Sequence, residues 1–219
     1  MKQLTLADEI VVLMLRDDTG EIRKECAKVA DVAIAGGILM ELSLLGKIDT
    51  DMTSLFVVDD SPADDDLLDQ ALQEIAAEPK RWPSARWIEW LVRQNPNLLQ
   101  KVLERLVQAG ILRMENRRYL WVFAKRAYPQ NTGREKREAK ARLTSVIHSN
   151  DVPDPRDTLL LGLAESSDIL SSMLSPEEMR RARSRIADVV ALEEIGRSVA
   201  AVSSNLRTAL IAAATARFG

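Results

Sequence analysis

The chain has 219 residues, of which 46% are hydrophobic and 29% charged, enough for a sizeable buried core and too apolar for a disordered chain. One cysteine, Cys26, excludes an internal disulfide framework, and one histidine, His148, all but removes histidine metal sites and histidine–nucleophile triads. The net charge of −3 points by itself to no nucleic-acid partner.

In chain order, Thr5-Leu6-Ala7-Asp8 opens a helix as a capping box, and Ile10, Val11, Leu13 and Met14 give it an apolar face. Asp17-Asp18-Thr19-Gly20 ends that pattern. A helical period then runs over about 24–45, with the small pair Gly36-Gly37 allowing a close helix approach and Gly46 as its stop. Residues 54–58 read as a short strand, 59–66 as an acidic turn, and 67–78 as a helix with Leu68, Leu72 and Ile75 inward. Ser84 is the expected cap of a helix over 85–94, and 97–109 form another that stops at Gly110. Apolar segments 111–114 and 119–123 flank 115–118 and read as a β-hairpin with a basic tip. A basic helix follows over 134–148, a linker at 151–155, and a helix over 156–174 with a break near Ser166-Ser167. Ser175-Pro176-Glu177-Glu178 opens the last, alanine-rich helical stretch, which runs toward Arg217. The expected fold is mainly α: one compact multi-helix domain over 1–219 with a protruding hairpin at 111–123 and a minor extra strand.

The charge is unevenly spread. Residues 1–80 carry 7 Lys/Arg against 18 Asp/Glu, residues 81–150 carry 15 against 5, and residues 151–219 carry 8 against 10. The middle third is thus basic, and all four tryptophans lie within it, between 81 and 128. Two consequences compete: a basic face for an anionic partner, or acidic and basic segments that pack together and cancel. Tyrosine and tryptophan favour a membrane interface, and cations favour anionic headgroups, so the hairpin residues Arg117, Arg118, Tyr119, Leu120 and Trp121 form a candidate membrane or partner contact. The longest stretch without a charged residue is nine, as at 32–40, against the roughly 20 apolar residues of a membrane span. With no secretory signal pattern at residues 1–9, the expected location is cytoplasmic and peripheral to a membrane.

No phosphate-binding glycine loop occurs, and Asp64-Asp65-Asp66 lacks calcium-loop spacing and suits the start of a helix. No nucleophile–base pair stands out, so neither an enzyme, a cofactor nor a metal site is expected. Two other functions fit the same residues. A helix followed at once by a hairpin also reads as a winged helix-turn-helix, with Arg93, Lys101 and Arg105 toward phosphates. The third is an oligomerising scaffold joined through the hairpin.

Several segments, in order and spacing, carry a resemblance. They include Leu4-Thr5-Leu6-Ala7-Asp8-Glu9, Leu39-Met40-Glu41-Leu42, Leu67-Leu68-Asp69-Gln70-Ala71-Leu72, Trp87-Ile88-Glu89, Glu104-Arg105-Leu106-Val107 with Gly110, and Tyr128-Pro129. Through these the chain resembles the Golgi phosphoprotein 3-like family of peripheral membrane proteins. The resemblance implies a mainly helical fold with a β-hairpin used in membrane contact or self-association, and recognition of phosphatidylinositol phosphate. The tryptophan and three arginines of the headgroup pocket it implies fall on Cys26, Ala35, Pro96 and Leu99, so none is retained. Lys28, Arg93 and Lys101 are the nearby cations left to hold an anionic headgroup.

Overall fold

The computed structural model describes residues 3–51, 53–119 and 123–191. Ten helices and two small antiparallel sheets make it mainly α among these residues. At its centre, α1 (Leu6–Met14) packs on α3 (Ala30–Leu44). Every residue of α1 is buried, and α3 is covered on nearly all sides, which is why its sequence is apolar without a preferred face. Gly37 allows this crossing: a Cβ there would sit 3.0 Å from the backbone nitrogen of Ala7. Around this pair lie α4 (Asp66–Ala77), α5 (Ser84–Gln94), α6 (Leu98–Gln108), α7 (Arg134–His148) and α8 (Pro155–Ser166). The short α9 (Leu170–Met173) and α10 (Pro176–Val190) close the far side. The buried side chains form one continuous hydrophobic cluster.

The expected capping boxes are present at both ends of the chain order: Thr5 with Asp8, and Ser175 with Glu178. The expected break near Ser166-Ser167 separates α8 from α9. Three expectations need correction. The run over 24–45 is two helices, α2 (Lys24–Ala27) and α3, because the chain turns at Lys28 and Val29 to bury Cys26 and Val29 beside α3. A strand absent from the sequence reading, β1 (Ile48–Thr50), pairs with β2 (Leu55–Val57). The cap of α5 is Pro83, with Ser84 its first helical residue. Residues 192–219, where the last alanine-rich stretch was expected, lie outside the described residues.

The hairpin also differs from expectation. Its strands are β3 (Glu115–Tyr119) and β4 (Phe123–Ala127), paired from Glu115 with Ala127 to Tyr119 with Phe123. The expected basic tip at 115–118 is therefore strand, and the strand expected at 111–114 is not. Ile111 and Leu112 stay buried, with the Asn131 amide donating to the Ile111 carbonyl at 2.9 Å and Leu112 bridged to Gln130. Pairing begins only after Met114, and charged residues enter it because the ladder uses backbone groups alone.

At the hairpin's base the Tyr128 amide donates to the Gly20 carbonyl at 2.6 Å. Gly20 has φ +66°, and a Cβ on it would lie 2.4 Å from the Pro129 nitrogen. Gly20→Ala is expected to cost more than the roughly 1–2 kcal/mol of the left-handed backbone alone, read as a lower urea midpoint; an unchanged midpoint would show that this contact yields freely.

Loop carboxylates set the acid response. Hydrogen bonds from Thr53 and Ser54 hold Asp51 at about 2. Arg16 does the same to Asp18, and Lys47 with Ser61 to Asp59. Each folded-state value lies below the ordinary 3.8, so each contributes stability above that value that is lost as pH falls toward 2. The urea midpoint is expected to fall over this window, and Asp51→Asn to flatten the fall; a flat wild-type profile would contradict it.

Candidate functional site

Several cations of the basic middle third are spent on the acidic first third. The Arg105 guanidinium donates to Thr5 Oγ1 (3.1 Å), Asp8 Oδ1 (2.5 Å) and both oxygens of Asp65 (2.9 and 3.0 Å). Arg142 pairs with Glu9 and, at 2.9 Å, with Asp157. Lys136, buried, binds Asp17 at 2.6 Å and donates to the Leu15 carbonyl, while Lys140 reaches the same aspartate at 3.1 Å. Burial pulls the Lys136 ammonium below the ordinary lysine range, partly offset by Asp17. Of the two consequences that segment charge left open, packing together of acidic and basic segments accounts for these four cations.

Two exposed cations of the middle third, Arg86 and Arg93, lie on α5. Its sequence sorts cleanly by helical period: Trp87, Ile88 and Leu91 are buried, and Arg86, Glu89 and Arg93 are exposed. Trp82 and Trp87 are also buried, at 8% and 1% exposure, so these two indoles anchor the helix instead of meeting a membrane. Trp82 stacks on Trp87 at 4.7 Å and meets Trp90 edge-on at 5.4 Å. Trp90, half-buried, donates its Nε1 proton to Glu74 at 3.2 Å. The Arg86 guanidinium lies over the Trp82 ring at 4.1 Å. Pro83, Ala85, Arg86, Glu89, Trp90 and Arg93 line a concavity of about 530 Å³. Among the described residues, no ion pair involves Arg86 or Arg93.

Among the described residues, the three cations expected to share a headgroup site do not line one groove together. Arg93 lines the α5 concavity. The Lys101 ammonium donates to Asn95 Oδ1 at 3.0 Å and lines a different groove, whose other charges are Asp64, Asp65, Asp66, Glu104 and Arg105. Lys28 is exposed at the end of α2 and lines neither. Arg86, which the sequence reading passed over, is the residue that shares a surface with Arg93; the signal was the spacing 86, 89, 90, 93 on one helical face. Arg117, Arg118 and Tyr119 lie in β3, while Leu120 and Trp121 lie outside the described residues. None of the positions that the resemblance assigned to a headgroup pocket carries a cation. Cys26 and Ala35 are fully buried, and the Leu99 amide is capped by Asp31 Oδ1 at 2.8 Å, a carboxylate where a phosphate would need a cation.

The segment order α5, α6, hairpin and flanking helices agrees with a finding from comparison: the family model described as Golgi phosphoprotein 3 (GPP34) matches residues 6–212. The chain belongs to the Golgi phosphoprotein 3 family. The match spans both central helices, the α5 face and the hairpin. Among the described residues, no helix is long and apolar enough to cross a membrane.

Proposed function

We propose that this Golgi phosphoprotein 3 family member is a non-enzymatic peripheral membrane protein that holds anionic lipid headgroups, phosphatidylinositol phosphates among them, on the outer face of α5. The observation that carries the reading is the pair of arginines without ion pairs, Arg86 and Arg93, bracketing Trp90 in one concavity. A guanidinium stacked on an indole is held in place while its N–H edge stays free, and that edge matches two phosphate oxygens at once. The family membership supports the same class of ligand. The hairpin, beside its basic residues, would add a second contact or join two copies of the chain.

The winged-helix reading has the right order of elements, but α6 does not serve it. Its exposed Lys101, Glu104 and Gln108 line a groove with Asp64, Asp65 and Asp66, whose field repels a phosphate backbone.

Vesicle flotation tests the proposal. The protein is expected to float with anionic vesicles at low salt, to be released at high salt, and to ignore neutral phosphatidylcholine vesicles. Recovery that is absent, or insensitive to salt and lipid charge, would overturn it; a salt-dependent shift of duplex DNA without vesicle binding would move the function to nucleic acid.

A further inference from the structure

Arg86 and Arg93 stand seven residues apart, which returns both to the same face of a helix but separates them by about 10 Å along its axis. Glu89 is exposed on that face between them, about one turn from each. A single phosphate bridging the two guanidinium groups would therefore sit over a carboxylate, the least favourable place for a dianion. A phosphate bound to one arginine alone lies farther from that carboxylate than a bridging one, and Arg86 is braced for it on Trp82 while Arg93 lines the same concavity. The spacing is that of two phosphates side by side in a surface, not of two oxygens on one phosphate.

Resting on the lipid reading above, we infer that α5 lies flat on an anionic bilayer and takes two neighbouring phosphodiester headgroups, one at Arg86 and one at Arg93. The face then reads surface charge density, and a headgroup free in solution is a poor ligand. Glu89 sets this preference by keeping the midpoint of the face closed to one phosphate shared by both arginines. Glycerol-linked phosphodiesters of a single negative charge fit each half of the site.

The test uses the full chain and vesicles of phosphatidylcholine with a rising share of phosphatidylglycerol, with the soluble phosphodiester glycerophosphoglycerol as competitor. Wild-type binding is expected to rise more steeply than in proportion to the anionic share. Arg86→Ala and Arg93→Ala are each expected to lower binding about fivefold and to make that rise less steep by about one power. The double variant is expected to lose about 25-fold, as independent sites do. Glycerophosphoglycerol is expected to leave binding unchanged. Because both side chains are exposed, the variants should keep the wild-type urea midpoint. Arg180→Ala, at an exposed position of α10, serves as the reference. A proportional rise in the wild type, or displacement by glycerophosphoglycerol, would show a one-headgroup site and overturn this inference while the lipid reading stands. A loss at Arg180→Ala equal to that at Arg86→Ala would show diffuse attraction and overturn it as well. If the wild type binds no anionic vesicle, the lipid reading itself falls.

Discussion

Arg156→Ala is expected to destabilise the protein by about 3–5 kcal/mol, the cost of leaving buried acids without their cation. Arg156 Nη1 donates to Glu41 Oε1 at 2.9 Å, its Nη2 to the Leu4 carbonyl, and its Nε faces Glu9 Oε2 at 3.4 Å. The side chains of Glu9 and Glu41 are each only 10% exposed. Glu41 in turn accepts the Leu6 amide proton at 2.7 Å, so the arginine fixes the start of α1 through both acids. Burial already raises Glu9 above the ordinary glutamate range, against the opposing pull of Arg142 and Arg156. Removing Arg156 raises it further. A raised folded-state value means that the cost is present at neutral pH and is relieved as pH falls and Glu9 takes a proton. The loss measured by urea unfolding should therefore be larger at pH 7 than at mildly acid pH. Arg156→Lys is expected to recover only part, because one ammonium does not span three acceptors. A loss that is small, or equal at both pH values, would contradict the account.

The second large effect is expected at Trp87→Ala, again about 3–5 kcal/mol, from the cavity left by a large side chain only 1% exposed. Trp87 carries Trp82, and Trp82 carries the Arg86 guanidinium. The variant should thus lose vesicle affinity even under conditions where it is fully folded. Trp87→Phe, which keeps an aromatic ring in the core, is expected to recover most of the stability. Undiminished binding by folded Trp87→Ala would separate the core from the site and contradict the link drawn between them.

These two residues also mark where sequence reasoning reached and where it stopped. Local signals were legible: the capping boxes at Thr5 and Ser175, the stop at Gly110, and the amphipathic faces of α4, α5 and α6 depend only on residues a few positions apart. The family was legible too, from segment order alone. Local pattern failed where two descriptions share it. Residues 24–45 keep a helical period through the turn at Lys28, and Ile48–Thr50 is too short to announce a strand. The hairpin slipped because Tyr119 to Phe123 reads as an apolar strand, whereas the ladder needs only backbone partners.

The proposed site was half legible. Arg93 stands near the positions of the implied pocket, whereas Arg86 joins it only through their common helical face. The surroundings of Lys101 are non-local: the aspartates beside it come from the start of α4, and nothing near 101 in the chain announces them. The same holds for Arg105 and Asp8, 97 residues apart, whose pairing removes a charge that segment counting had assigned to the surface. Net charge by segment is a weak guide wherever acids and bases meet across the core.

The most direct measurement is the solvent accessibility of a spin label on the α5 face while the protein is bound to vesicles. Cys26, the chain's single cysteine, is buried, so a label at Glu89→Cys reports on one place. On anionic vesicles this label is expected to lose most of its collisions with a water-soluble relaxing agent, while a label at Arg180→Cys keeps them. A label at position 89 that stays as accessible on the vesicle as in free solution would show that another surface touches the lipid.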